Sequence, residues 1–255
     1  MRILLTNDDG VGADSLWAIA NELESLGELL IVAPQQQQSG MGHAITYRTP
    51  ISAEIIRRNG NQTAYAVSGT PADCVKFGLL ELVEQPPDLI VSGINLGLNV
   101  GCNVFYSGTL AAAIEGALYQ TPSFAVSVPF EAGEKLAEYA QQALRTIKYV
   151  HANSVIPDQP IAWNVNLSLL DEPEPEIVFT HHWTGAFHER YIRSESEEGD
   201  LFQLDLPWEE QNIPGNGCDV HVLQDGKISV TPMRPSLTDH DFLRELGIVE
   251  KEGSE

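Results

Sequence analysis

The strongest constraint on the fold is a recurrence. Short runs almost free of charge, Ile3-Leu4-Leu5, Leu29-Leu30-Ile31-Val32-Ala33, Leu89-Ile90-Val91 and Phe124-Ala125-Val126, each end in a polar or glycine-bearing loop and give way to a helical pattern. Strands that are apolar at successive positions are buried on both faces, the condition of a parallel sheet covered by helices on either side. Between the first two runs, Leu16, Ile19, Ala20, Leu23 and Leu26 recur at helical spacing, with Asp14 or Ser15 as a candidate N-cap and Gly27 as the stop. The first 33 residues therefore predict a strand–helix–strand unit. Residues 133–150 predict an amphipathic helix with Leu136, Ala140, Leu144 and Ile147 on one face, and residues 163–167 a further strand.

In such a sheet the ligand site lies beyond the carboxyl ends of the strands, so the residues at those ends matter most. The first run stops at Asn7-Asp8-Asp9-Gly10. On a regular strand Asp8 and Asp9 would face opposite ways; at a turn both can converge, and two converging carboxylates repel unless a cation lies between them. A capping role and an oxygen-ligated divalent cation are both open at this stage. The second run stops at Pro34, and Ser39-Gly40 lies in the loop beyond it; serine there is commonly a turn former. The third run ends in Ser92-Gly93-Ile94-Asn95, followed by a loop with three glycines and two asparagines from 96 to 109. Ser107-Gly108-Thr109 then opens an alanine-rich helix whose N-terminus suits a phosphate. The loop has neither the lysine of a P-loop nor the glycine spacing of a dinucleotide site. Thr70-Pro71-Ala72-Asp73 predicts a capped helix start, and Gly69 beside it adds free backbone N–H groups. Asn59-Gly60 predicts a hairpin turn.

The net charge of −22, from 36 acids against 14 bases, argues against duplex nucleic acid or an anionic membrane as partner. An anionic substrate then needs a local cation. Three widely spaced cysteines give no disulfide or zinc pattern, and no run reaches the length of a membrane span or a secretory signal; the expectation is a cytoplasmic protein. Residues 1–176 read as the core, 177–235 as a β-rich appendage for oligomer contacts, and 236–255 as a terminal helix (237–249) and tail. In the appendage, Ser194 to Asp200 reads as an acidic loop, and Asp225-Gly226 as the turn of a hairpin spanning 220–230. His181 and His182 are adjacent and diverge on a strand, which favours structural roles, while His188 near Arg190 and Arg193 is a weak anion-binding candidate.

Over nearly its whole length the chain resembles the SurE family, the survival-protein-E nucleotidases. The resemblance rests on Thr6-Asn7-Asp8-Asp9-Gly10, Val32-Ala33-Pro34, Gln38-Ser39-Gly40, residues 67–75 (Val-Ser-Gly-Thr-Pro-Ala-Asp-Cys-Val), Ser92-Gly93-Ile94-Asn95, Gly97, Asn99, Gly101, Tyr106-Ser107-Gly108-Thr109, Glu115-Gly116, Asn164-Val165-Asn166 and Ser229-Val230-Thr231-Pro232. It implies a three-layer α/β/α Rossmann-like core with a mainly parallel sheet and a C-terminal β-hairpin appendage. It also implies a metal-dependent 5′/3′-nucleotidase, in which a metal-activated water attacks the phosphorus of a nucleoside monophosphate. Carried over by position, Asp8, Asp9, Ser39 and Asn95 are expected to hold one divalent cation per subunit, Mg²⁺ or Mn²⁺. Asp8 and Asp9 are the expected catalytic residues, and Gly69, Thr70, Asn99, Ser107, Gly108 and Thr109 the expected phosphate-binding set. A homodimer or homotetramer is expected. The chain departs from the family pattern at residues 11–15, at Cys102-Asn103 and at Cys218-Asp219, none of which is an expected ligand. A covalent aspartyl-phosphate on Asp8 and a silent nucleotide-binding module are the rival readings.

Overall fold

A computed structural model describes residues 1–58, 62–153, 161–169, 173–185, 187–205 except 197–198, 213, 215 and 217–248. In chain order the strands are β1 (Arg2–Thr6), β2 (Glu28–Pro34), β3 (Ala53–Arg58), β4 (Gln62–Val67), β5 (Leu89–Leu96), β6 (Ser123–Val128), β7 (Ala162–Asn166), β8 (Ile177–Phe179), β9 (Arg190–Ser196), β10 (Gly199–Asp205) and β11 (Ile228–Met233). The helices are α1 (Asp14–Leu23), α2 (Pro71–Phe77), α3 (Gly108–Leu118), α4 (Leu136–Asn153), α5 (Asp219–Gln224) and α6 (His240–Glu245).

Among the described residues, nine strands form one sheet in the order β3-β4-β2-β1-β5-β6-β7-β11-β8, and β9 and β10 form a separate antiparallel ribbon. Only the β3–β4 and β7–β11 pairs of the large sheet are antiparallel. The alternation within β1 sets the layers. Ile3 and Leu5 pack with Leu16, Ile19, Tyr139 and Ala140, from α1 and α4 on one face. Leu4 packs with Val75, Ile90 and Ala112, which brings α2 and α3 onto the other. This is the three-layer, mainly parallel architecture expected, with the hairpin beside it.

Several expectations are corrected. The α1 helix begins at Asp14 with Ala13 in the cap position, so Asp14 is a first-turn acid rather than the cap. Residues 219–224 form a helix, not the first arm of a hairpin. A type I′ turn needs positive φ at both central residues, but Asp225 has φ −79° and only Gly226, at +75°, is left-handed. Asp-Gly closes the helix instead: Gly226 N–H donates to Leu223 O and Lys227 N–H to Val222 O, a Schellman arrangement. The stretch read as an acidic loop is largely strand, because β9 runs to Ser196 and β10 starts at Gly199. The terminal helix is shorter than expected, capped by the Asp239 side chain accepting from Phe242 N–H. Within 177–235, β8 and β11 join the large sheet while β9 and β10 stand outside it. The strands flanking Asn59-Gly60 pair antiparallel, Arg58 opposite Gln62, but the turn residues lie outside the described residues, as do Glu197-Glu198 and residues 249–255.

Candidate active site

Three loops meet at the carboxyl end of the sheet. Asn7, fully buried, closes the turn after β1 by donating from Nδ2 to Gly10 O at 3.0 Å. That turn fixes the two acids. Asp8 is 4% exposed, and its Oδ1 accepts from Thr109 Oγ1, at the start of α3, at 2.7 Å. Gly108 presses against the same carboxyl group; a Cβ there would lie 3.0 Å from Asp8 Cβ. Asp9 is half-buried, with Gln37 Nε2 at 3.4 Å from Oδ1, and its Oδ2 is buried with no hydrogen-bond partner.

The loop after β2 is tied to this turn, since Gln38 N–H donates to Asp8 O at 2.7 Å and Val11 N–H to Pro34 O at 2.8 Å. Its Ser39 is exposed, and its Oγ accepts from Gln37 Nε2 at 2.9 Å, so one glutamine bridges the serine and Asp9. Further along, His43 Nε2 lies 2.8 Å from Glu115 Oε2 of α3, Gly42 N–H donates to Tyr106 O, and Thr46 N–H donates to the Asp73 carboxylate. Glu115 is 4% exposed and also meets Lys76 Nζ at 2.5 Å. Burial by itself would raise its carboxyl, but the bonds from His43 and Lys76 more than offset this and hold it below the usual carboxylate value.

The third contribution comes from the end of β5 and the loop that follows it. Gly93 has φ +138°, and a Cβ there would stand 2.5 Å from Val126 O, so only glycine allows the irregular pairing that leads to Asn95. Asn95 donates from Nδ2 to Gly97 O at 2.7 Å, which turns its amide oxygen the other way. Asn99 is clamped: its N–H donates to Asn166 Oδ1, its carbonyl accepts from Asn164 and Asn166, and its side chain donates to Ser127 Oγ. Gly101 N–H donates to Asp219 Oδ2 at 2.8 Å, and Asp219 Oδ1 accepts from Trp183 and Val220 N–H.

These loops enclose a cleft of about 690 Å³ lined by Asp8, Ser39, Asn95, Asn99 and Ser107, together with Tyr106 and Phe130. The structure thus brings Asp8, Ser39 and Asn95 to one wall, with Asp9 alongside. Of the expected phosphate-binding residues, Asn99 and Ser107 line the cleft, and Gly108 and Thr109 lie against Asp8. Gly69 and Thr70 do not line it: a Cβ on Gly69 would strike Asp73, and Thr70 donates to Ala44 O while accepting from Asp73 N–H. Arg190 and Arg193, the cations near His188, pair with Asp205 and Asp200 inside the ribbon. Sequence reasoning missed the tethers Asp219, Asn164 and His43–Glu115. A lone Glu in an alanine-rich helix was the available signal for Glu115.

The electrostatics suit a cation. Burial pushes Asp8 up to about 6, against the Thr109 bond, and the neighbouring Asp9 charge adds to the rise. Burial raises Asp9 as well, with the Leu96 backbone and Gln37 opposing. Two destabilised carboxylates, one with an orphaned buried oxygen, are what a divalent cation would satisfy. Among the described residues no group of three or more His, Cys, Asp or Glu converges; the other oxygen-bearing side chains lining the cleft near Asp8 include Ser39 and Asn95.

Comparison with known proteins bears on the family and the fold. The family model described as Survival protein SurE matches residues 3–193. A 5′-nucleotidase SurE from Rhodopirellula baltica is 41% identical over 250 residues, covering 96% of this chain and 97% of that protein. The 5′-nucleotidase SurE of Syntrophus aciditrophicus is 40% identical, covering all of this chain and 96% of its own. The crystal structure of the Aquifex aeolicus SurE protein superposes with a TM-score of 0.80 at 30% identity, covering 98% of this chain and 100% of that one.

Proposed function

The chain belongs to the SurE family, and from that premise we propose that it is a nucleotidase: it hydrolyses the phosphomonoester of nucleoside 5′- or 3′-monophosphates with one divalent cation, Mg²⁺ or Mn²⁺. The observation that carries this reading is the pair of adjacent, burial-perturbed carboxylates at the end of β1, with Asp8 lining the cleft and bonded to Thr109 at the N-terminus of α3.

Asp8, Asp9, Ser39 and Asn95 would hold the cation. When bound, it supplies the positive charge that offsets the phosphoryl oxygens and acidifies water. Thr109 fixes Asp8 by engaging Oδ1, which leaves Oδ2 to orient an attacking water or to accept its proton. Ser107, the N-cap of α3, and Asn99 sit on the cleft wall where hydroxyl and amide donors can meet phosphate, and the positive end of α3 adds to them. With a net charge of −22, an anionic substrate requires this local positive potential.

The β9–β10 ribbon supports a homodimer or homotetramer. Tyr191, Ile192, Leu201, Phe202 and Leu204 are each more than half exposed on it, and an isolated two-stranded ribbon is marginal in water without a covering surface. Among the described residues no helix is long and apolar enough to cross a membrane, and the three cysteines form no disulfide, which fits a reducing cytoplasm.

The test is phosphate release from a panel of 5′- and 3′-nucleotides with Mg²⁺, Mn²⁺ or EDTA. Release that needs the cation and is lost in Asp9→Ala supports the reading. Release that survives EDTA, or a phosphorylated Asp8 trapped in a quenched reaction, overturns it.

A further inference from the structure

The cleft has an aromatic part to its lining that phosphate chemistry does not explain. Tyr106 and Phe130 line it together with Asp8, Ser39 and Asn95, yet they are 61% and 76% exposed. A single exposed aromatic is ordinary on a protein surface. Two on one cleft, beside the buried Asp8 carboxylate, offer apolar ring surface to whatever that cleft binds.

Both rings stand on fixed backbone. Tyr106 follows the short 3₁₀ turn Gly101–Phe105; its N–H donates to Asn103 O, and its carbonyl accepts from Gly42 of the Ser39 loop. It directly precedes Ser107, the α3 cap, so the ring and the phosphate donors belong to one rigid segment. Phe130 follows Pro129 at the exit of β6, and its ring lies over Gly97. A Cβ at Gly97 would come within 3.0 Å of Phe130 Cζ, so the missing side chain lets the ring sit down beside the Asn95 loop. Glu131, next in the chain, also lines the cleft; its carboxylate repels phosphate and thereby favours the orientation with phosphate toward Asp8.

We propose that Tyr106 and Phe130 form a nucleobase-stacking subsite, which makes the enzyme select nucleotides over simple sugar phosphates while tolerating different bases. The inference rests on the nucleotidase reading for its ligand class. Aromatic stacking suits it because every base presents a π-face, and the contact adds no charge to an acidic protein.

The experiment compares adenosine 5′-monophosphate with ribose 5-phosphate, in Mn²⁺, for wild type, Phe130→Ala, Tyr106→Ala and Phe130→Tyr. The readout is the quotient of the two kcat/KM values, which cancels general damage to phosphate hydrolysis. In each alanine variant the quotient falls by about 5- to 100-fold, as loss of one base–aromatic stack implies, with the change in KM, and Phe130→Tyr keeps it. A quotient unchanged within twofold in both alanine variants, or a wild type that does not prefer the nucleotide, overturns the proposal. Should wild type release phosphate from neither substrate, the nucleotidase reading fails and calorimetric titration with adenosine judges the subsite alone. Binding weakened at least fivefold in Phe130→Ala then supports it; equal binding, or none by wild type, overturns it.

Discussion

The carboxyl end of the sheet and the β9–β10 ribbon break the usual partition of residues in opposite directions. At the sheet end, polar groups are inside: Asp8, Asn99, Asn164, Asn166 and Asp219 are all under 10% exposed. On the ribbon, apolar groups are outside, from Ile192 at 52% to Tyr191 at 67%. A buried polar group is tolerable only where a donor, acceptor or ion meets it, and an exposed apolar face only where another surface covers it. Asn99 and Asp219 are met from within the chain. Asp8 and Asp9 are met only in part, a deficit that the proposed cation would fill, and the ribbon leaves apolar side chains exposed, which the proposed second copy of the chain would cover.

Four variants press on that contrast. The largest effect is expected from Asp8→Asn, which keeps an oxygen for Thr109 and removes the charge. Activity in saturating Mn²⁺ falls on the order of 10³-fold. Metal-free stability moves the other way. With Asp8 raised to about 6 in the folded protein, the native state holds a proton that the unfolded chain has released, so stability is fully present below the ordinary aspartate range near 3.8 and is lost as pH rises through 6. At pH 7 the metal-free Asn variant is therefore more stable by up to about 3 kcal/mol, a difference that vanishes at acid pH. Thermal melts in EDTA at several pH values check it; a wild type stabilised between pH 4 and 7 would contradict it.

Asp219→Ala leaves three N–H groups, those of Gly101 and Val220 buried and that of Trp183 partly so, without their acceptor. The expected loss is about 3 kcal/mol, or a fall in Tm of roughly 6–12 °C, read by calorimetry. An unchanged melt would mean that the cleft loop is not anchored from this side.

On the ribbon, Phe202→Glu places a charge on the exposed face without touching the site. Light scattering is expected to show at least a twofold lower mass, with phosphate release kept within about twofold. A wild type that already scatters as a monomer would remove the ribbon's proposed role.

The smallest effect belongs to His43→Ala, which frees one of the tethers between the Ser39 loop and α3. Half-saturation for Mn²⁺ is expected to rise about 2- to 10-fold, the value of one hydrogen bond, while His43→Gln recovers part of it. No change in metal half-saturation would leave the tether a purely structural contact.

Legibility followed the range of the forces involved. The strand–helix alternation was readable because Ile3, Leu5 and Leu4 sort to opposite faces by local geometry alone, and helix spacing declared α1 and α4. Asp225-Gly226 misled because the same dipeptide serves a hairpin turn or a helix end, and the choice fell to contacts over a hundred residues apart, with Asp219 accepting from Gly101. Thr70 was read as a phosphate donor because its local cap resembles an anion site, yet the distant Ala44 carbonyl engages it. His43–Glu115 was invisible for the same reason: 72 residues separate the partners.

The sequence by itself determined the sheet's layers and the placement of Asp8, Asp9 and Ser39 just beyond strand ends, with Asn95 near the end of its own strand, since periodicity and turn chemistry act over a few residues. Only the tertiary structure decided how far Asp8 and Asp9 are desolvated, which oxygen lacks a partner and which aromatic rings face the cleft. Burial and convergence belong to surfaces brought together by folding, and no single segment contains them.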